Sequence, residues 1–317
     1  MTTTDIVSLG GRRFRGAWPR GSAALQVALI LLTAPALAAE RIVTLGGDVT
    51  EIVFALGAGD QVVGADTSSV YPGAANALPK VGYQRQVPAE GVLALQPTLV
   101  IGSDEAGPPP ALAQLRDAGV RLEIVAAPDT PEGAVAKVER IAALLGRQAQ
   151  GEKIVAALRA DLARASERRQ AVEATPRVLF VYARGANTVM IGGNATGADE
   201  MIRLAGGRNA VEGVDGFKPL TAEAAVAAAP DVVLVMSRGV DSLGGADALW
   251  AQPGLAQTPA AQQRRLVVMD DLYLLGFGPR LGAAVLELQQ QIHPEARQGA
   301  AALPREGDGQ GRPRSRS

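Results

Sequence analysis

Two stretches of this chain repeat one order of residue types. Residues 88–103 read "PAEGVLALQPTLVIGS" and residues 221–237 read "TAEAAVAAAPDVVLVMS". Each has an Ala-Glu pair, then small and apolar residues, then a proline, then an apolar run. The spacing predicts a short helix stopped before a buried strand. A second correspondence is Gly-Gly-x-x-Thr, at Gly46-Gly47 and again at Gly192-Gly193, each after an apolar strand. Ordered duplication of this kind constrains the fold more than any composition does: the chain builds one α/β unit twice.

The surrounding pattern supports the same reading. Apolar runs at 41–46, 61–66, 98–103, 177–183 and 188–193 read as strands, and "RLEIVAA" as another. They alternate with helical patterns, as in "DVTEIVFALGAG", where Asp48 or Thr50 can cap the helix and Gly57 and Gly59 end it. Strands alternating with helices predict mainly parallel sheets. The expected class is α/β, with two Rossmann-like lobes. Residues 131–174 keep apolar positions at helical spacing, with Gly146 and Gly151 as places for a kink. We expect an N-terminal lobe over 39–145, a bridging helix over 146–174, a C-terminal lobe over 175–293, and a structureless tail over 294–317. A helical bridge couples two lobes more stiffly than strand hinges do.

The N-terminus reads as an export signal. Arg12, Arg13, Arg15 and Arg20 precede the apolar run of residues 21–34, and Ala36-Leu37-Ala38 is a small-residue cleavage site. This is the layout of a secretory signal peptide over 1–38, too short for a comfortable transmembrane helix. A periplasmic protein is expected.

Composition removes several chemistries. There is no cysteine, so thiol catalysis, disulfides and thiolate metal sites are excluded. The single histidine rules out sites built from several imidazoles. That residue, His293, reads as a solvent-exposed side chain at the end of the last helix rather than a triad member. A formal net charge of −1 gives no sign of a nucleic-acid partner. "LGGDVTE" and "IGGNATGAD" lack both the G-x-G-x-x-G pattern and the lysine of a phosphate loop. No G-x-S-x-G elbow occurs, and no carboxylate pair stands out. The chain reads as a binder and not as an enzyme.

Ligands of open α/β sheets lie outside the carboxyl ends of strands. Between two lobes, those ends line a cleft. The segment "ADTSSVYPGAANALPKVGYQRQ" (65–86) follows a strand there and carries two of the chain's four tyrosines, Tyr71 and Tyr83. The segments 103–110, 192–199, 236–242 and 270–280 reach the same place.

Taken together, "LGGDVTEIVFALGAGDQVVGADTSSVYP", "LPKVGYQRQ", "GSDEAGPP", "GADEMIRLAGGRNAVEG" and "LLGFGPRLGAAV" resemble the periplasmic haem-binding proteins of ATP-binding-cassette haem importers. These are helix-bridged substrate-binding proteins, a group that also includes carriers of cobalamin and ferric siderophores. The likeness covers about residues 40–293. Its combination of S-S-x-Y-P, V-G-Y-x-R and G-S-D-E-A-G-P-P is particular to the haem branch.

The resemblance implies that Tyr71 ligates ferric haem iron, the transported ligand. A phenolate is a hard anionic donor suited to Fe(III), and a bound cation displaces the phenol proton. Arg85 and Arg280 are candidate partners for the phenolate and for the haem propionates. Val70, Tyr83, Tyr273, Leu275 and Phe277 are candidate walls. Read without the resemblance, Tyr71 is a loop tyrosine, Tyr83 serves equally in loop packing, Arg280 can cap a helix or pair with Asp270, and Tyr182 belongs to the core. Some relatives supply a second-lobe histidine, for a second stacked haem or a sixth iron ligand; here only Met190, Asn194 or Met236 stands in its neighbourhood, so five-coordinate iron, or iron with a weak sixth ligand such as water, is expected, and no histidine is offered to a second haem. The resemblance also implies a monomer that docks on a permease and its ATPase, downstream of an outer-membrane haem receptor. Asp104 and Glu105 are docking candidates for the first lobe, Asp241 and Asp247 for the second, and each is equally an ordinary solvated carboxylate.

Overall fold

A computed structural model describes residues 40–293. The expected export signal and the expected tail lie outside the described residues. The first sheet is wholly parallel, with order β2-β1-β3-β4. Its strands are β1 (Ile42–Leu45), β2 (Val62–Ala65), β3 (Leu99–Ser103) and β4 (Arg121–Val125). Between them lie α1 (Gly47–Ala55), α2 (Ala89–Leu93) and α3 (Pro109–Asp117). The strands β1 and β3 are fully buried, as expected for a parallel sheet covered on both faces.

The connecting segment is two helices, α4 (Pro131–Leu144) and α5 (Gln148–Gln170). The break falls at Gly146, whose φ of 66° lies in the left-handed region that terminates helices. Gly151 causes no kink. It sits inside α5 where a Cβ would come within 2.7 Å of Ala142, so it lets α4 and α5 pack closely. Twenty-three residues make α5 about 35 Å long.

The second lobe holds β5 (Arg177–Ala183), β6 (Val189–Gly192), α6 (Gly197–Leu204), β7 (Arg208–Asn209), β8 (Phe217–Pro219), α7 (Ala222–Ala228) and β9 (Val232–Met236). It continues with α8 (Ser237–Leu243), α9 (Ala246–Trp250), α10 (Pro259–Gln262), β10 (Leu266–Met269), α11 (Asp271–Leu275) and α12 (Leu281–Ile292). Its sheet runs β10-β9-β5-β6-β8, with β7 also on β5. Here the expectation of parallel strands holds only in part: β6 is antiparallel to both β5 and β8. The short link from β5 to β6 leaves no room for a crossover helix, so the chain returns as a hairpin.

Apolar residues collect into three cores. One lies under the first sheet with α2 and α3, and one lies under the second with the helices that follow β8. The third is continuous across both lobes, joining Ile42, Val49 and Ile52 to Leu158 of α5, to Phe180 and to Leu288. A shared core of this kind resists separation of the lobes, because parting them would return apolar surface to water.

His293 departs from its expected exposure. It is 1 % exposed, packed beside Gly206 and the stem of Arg169. The end of α12 lies against the α5–α6 region rather than fraying into solvent.

Candidate functional site

The turn after β1 sets the site. Gly46 has φ 127°, and a Cβ on Gly47 would meet the Ser68 carbonyl at 2.7 Å and Leu272 Cδ1 at 2.9 Å. The glycine pair therefore lets a first-lobe loop and second-lobe α11 approach the same backbone. Neither Asp48 nor Thr50 caps α1, contrary to expectation; Gly46 occupies the cap position. Asp48 instead accepts a hydrogen bond from Lys137 Nζ at 2.7 Å, and Lys137 also donates to the Gly276 carbonyl at 3.1 Å. Thr50 Oγ1 donates to Thr44 Oγ1 at 2.7 Å and lies 2.6 Å from Ser69 Oγ.

Asp66, at the end of β2, is completely buried. Its carboxylate accepts from Gly46 N (2.9 Å), Ser68 N (2.8 Å) and Ser69 Oγ (2.7 Å). The three donors satisfy both oxygens of a carboxylate that water does not reach. On the far side of the loop, Lys80 Nζ donates to the carbonyls of Ser69 (2.7 Å) and Ala75 (3.0 Å), and Asn76 donates to the Val70 carbonyl. Burial pushes the Lys80 ammonium below its usual range. The stretch 66–80 is thus pinned at both ends, and Tyr71 projects from between the pins with 42 % of its surface exposed.

Arg280 comes from the second lobe. Its Nε and Nη2 donate to the two carboxylate oxygens of Glu51 at 2.7 and 2.8 Å. Its guanidinium carbon stands 3.6 Å from the Tyr71 ring centroid and 4.8 Å from that of Tyr273. Both distances lie within the range of a cation–π attraction. Arg280 therefore neither caps α12 with its side chain nor pairs with Asp270; Asp270 caps α11 by accepting from Tyr273 N. Burial pushes the Glu51 carboxyl above its usual range and outweighs the lowering pull of the guanidinium. Burial also lowers Arg280, but the hydrogen bond and charge of Glu51 reverse this and leave it raised. Tyr273 is pushed up to about 12, first by burial and then by the charge of Glu287.

The other expected site residues are arranged differently. Tyr83 is half-buried, and Arg184 of the second lobe lies 5.9 Å from its ring centroid. Arg85 is exposed and pairs with Glu105, which also accepts from Gln84 Nε2 at 2.7 Å. Phe277 does not offer a wall: it is 1 % exposed and belongs to the shared core, with its ring against Gly197. Leu275 packs on the same core from its rim. Met236 is buried, while Met190 and Asn194 are half-buried. Tyr182 is only half-buried, edge-on to the exposed Phe217 at 5.9 Å. Residues that sequence reasoning passed over are Glu51, Asp66, Lys80 and Lys137. The available signals were a carboxylate inside the apolar run "VTEIVF" and another at the end of an apolar strand.

Two surface hollows lie elsewhere, of 390 Å³ by the end of α5 and 500 Å³ along α7, and neither is lined by a tyrosine. Among the described residues, no cluster of three or more histidine, cysteine or carboxylate side chains could hold a metal ion, and no helix is long and apolar enough to cross a membrane.

Two α/β lobes joined through helices, with tyrosines of one lobe facing arginines of the other, have the form of a helix-bridged substrate-binding protein. The chain belongs to the periplasmic binding protein family, which it matches over residues 42–273. Among solved structures it is similar to the periplasmic haem-binding protein RhuT from Roseiflexus sp. RS-1, at 48 % identity and a TM-score of 0.79, covering 81 % of this chain and 99 % of that one. It is also similar to the periplasmic haem-binding protein BhuT in complex with two haems, at 43 % identity and a TM-score of 0.77, with the same coverage. An uncharacterized ABC transporter substrate-binding lipoprotein of Bacillus subtilis, YvrC, is 29 % identical over 81 % of each chain. The vitamin B12-binding protein of Vibrio campbellii is 25 % identical over 68 % of this chain and 75 % of its own. Proteins of this family work with an ABC permease and its ATPase, and are binding proteins rather than enzymes.

Proposed function

We propose that this protein captures ferric haem in the inter-lobe cleft and delivers it to an inner-membrane ABC permease. The single observation that carries the reading is Tyr71: an exposed phenol on a loop pinned at both ends, with a fixed guanidinium 3.6 Å from its ring. A phenol is a weak ligand until it loses its proton. A cation over the ring holds its orientation, and a pinned loop spares the ordering cost of binding. Haem-binding proteins at 48 and 43 % identity add weight.

In this reading Tyr71 supplies the axial oxygen to Fe(III). Tyr83 and Tyr273 serve as walls, and Arg85 and Arg184 offer cations to the propionates. With no second-lobe histidine to add, the iron is five-coordinate or takes water as a weak sixth ligand. Asp104, Glu105, Asp241 and Asp247 are all exposed and remain our docking candidates. Glu105 is engaged by Arg85, and Asp247 by Arg264 at 3.1 Å, so docking through either would exchange one arginine for another. The protein is exported, its signal removed near Ala38.

The test is a titration of purified protein with hemin, followed by visible absorption. Saturable binding with the charge-transfer band of a ferric tyrosinate is expected, and Tyr71→Phe should lack that band. An unchanged spectrum in Tyr71→Phe would refute the ligand assignment. A second reading, cobalamin, is favoured by the Vibrio campbellii relative. Saturable binding of cyanocobalamin with none of hemin would select it, and a ferric siderophore is tested in the same way.

A further inference from the structure

We propose that the 500 Å³ hollow along α7 is a second binding site, which takes a small amphipathic carboxylate with its aliphatic body in the hollow and its anionic head on Arg177. The site lies outside the inter-lobe cleft, and the inference does not depend on what the cleft binds.

The duplicated segment shows why the space exists. In the first copy Val92 belongs to the core under the sheet and Leu95 packs against it. Leu95 reaches over Gly64 of β2, where an added Cβ would meet its Cδ1 at 2.3 Å. At the same places in the second copy stand Ala225 and Ala228. Shortening a side chain on an apolar face leaves room unless the neighbours collapse into it. Here they do not: Ala228 lines the hollow, beside Ala224 and Ala227. Its floor is Ile191, Ala210 and Val211, all buried members of the second-lobe core. The volume falls within the range of about 300–1,000 Å³ that small-molecule sites occupy.

Charge at the hollow selects the class of occupant. Its charged lining residues are two cations, Arg177 and Lys218, and one carboxylate, Glu212. Glu212 is exposed and already stands 3.9 Å from Arg208. The Arg177 backbone is fixed, since its N–H donates to Asp231 Oδ2 at 2.8 Å and its carbonyl accepts from Asp231 N at 2.8 Å. Its side chain has no such tie. The Nε is buried without an acceptor, and among the described residues neither Arg177 nor Lys218 has an ion-pair partner. A guanidinium partly withdrawn from water and left unpaired favours a carboxylate, which it can grip through two parallel bonds. A neutral apolar occupant would leave that charge unmet, and a bare inorganic anion would leave the apolar floor wet.

The hollow and the cleft are served by different faces. Side chains alternate across a sheet, so Ile191 and Lys218 line the hollow while Phe217 turns to Tyr182 on the other side. Arg177 opens β5, whereas Arg184, which faces Tyr83, follows the far end of that strand about 20 Å away.

Sodium octanoate is the probe, titrated into the ligand-free protein by calorimetry and by amide chemical shifts. Saturable binding is expected, with shifts over residues 208–228 and none over 69–85. Arg177→Met, which keeps an apolar stem and removes the cation, should weaken octanoate by roughly tenfold or more. 1-Octanol, which lacks the charge, should bind the wild type more weakly by a similar factor. Ala228→Leu restores the side-chain length of the first copy and should abolish binding by filling the hollow. Absence of saturable octanoate binding would overturn the proposal, as would shifts confined to 69–85. So would equal octanoate affinity in the wild type and Arg177→Met, a result that stands even if Ala228→Leu fails to fold. Hemin binding should be the same in Arg177→Met as in the wild type; a wild type that binds no hemin would remove the functional reading of the cleft and leave the octanoate result to decide this site.

Discussion

Arg280 and Arg85 each stand near a cleft tyrosine and each pairs with a glutamate, yet the Glu51 side chain is 5 % exposed and that of Glu105 is 46 % exposed. The residue types are the same and the consequences differ. Water competes little for Glu51, so the pair there is bidentate and fixes a plane. Around Glu105 water screens the charges and the long side chains keep their freedom, so such a pair contributes little. Arg280 also crosses between lobes, whereas Arg85 and Glu105 both belong to the first. The comparison separates a charge that organises the site from one that is available to be taken by a ligand or a partner.

Breaking the second buried tie should have the largest effect. Lys137→Met leaves the Asp48 carboxylate without its cation inside the protein and removes the link to the Gly276 carbonyl. Roughly 3–5 kcal/mol of stability should be lost, measured by urea denaturation. A loss near zero would put this pair in the same class as Arg85–Glu105. Next is Asp66→Ala, which strands two backbone N–H groups and takes one partner from the Ser69 hydroxyl, leaving it Thr50 Oγ1. It should cost about 2–3 kcal/mol and loosen the Tyr71 loop, seen as faster exchange over 66–80. Arg85→Ala should cost about 1 kcal/mol or less, and its effect on hemin affinity should shrink as salt is raised. A large, salt-independent loss would show that Arg85 acts as Arg280 does.

The smallest effect is a matter of pH at the ring beside Arg280. Tyr273 is raised from 10 to about 12. The unfolded phenol therefore ionises first as pH climbs from 10 towards 12, so the native state loses stability across that window and gains nothing below it. Phenolate absorbance of the wild type minus that of Tyr273→Phe should give a midpoint near the upper end of the window. A midpoint at 10 would mean that the ring is more solvated than its half-buried position implies.

The elements whose signals are short-range were legible. Apolar runs and punctuating glycines and prolines gave away the four first-lobe strands, β5, β6 and β9 of the second lobe and the long helix α5, because each is decided by close neighbours in sequence, whereas the short β7 and β8 carry no such signal. The placement of the Tyr71 segment after β2 followed from the same logic. Several features were not legible. The sequence offered both Gly146 and Gly151 as places for a kink; the chain breaks at Gly146, with φ 66°, and passes straight through Gly151, which packs against Ala142. Phe277 and His293 sit in sequence contexts that read as loop and helix end, yet both are buried once α12 folds back on α5. The hairpin of β5 and β6 made the second sheet mixed where repetition pointed to a copy of the first.

What the sequence determined by itself is the architecture: two α/β lobes, a helical bridge, no thiol or poly-histidine chemistry, and a segment after β2 that carries two tyrosines. These rest on composition and on periodicities that do not depend on how the lobes meet. What only the tertiary structure decided is which charges are paired. Arg280 and Glu51 are 229 residues apart, and nothing in either local stretch names the other. Their pairing exists because the shared core brings α1 and the start of α12 together out of water, where a guanidinium and a carboxylate must find each other. Burial is a property of the folded chain, and it decides which of two similar arginines holds the tyrosine.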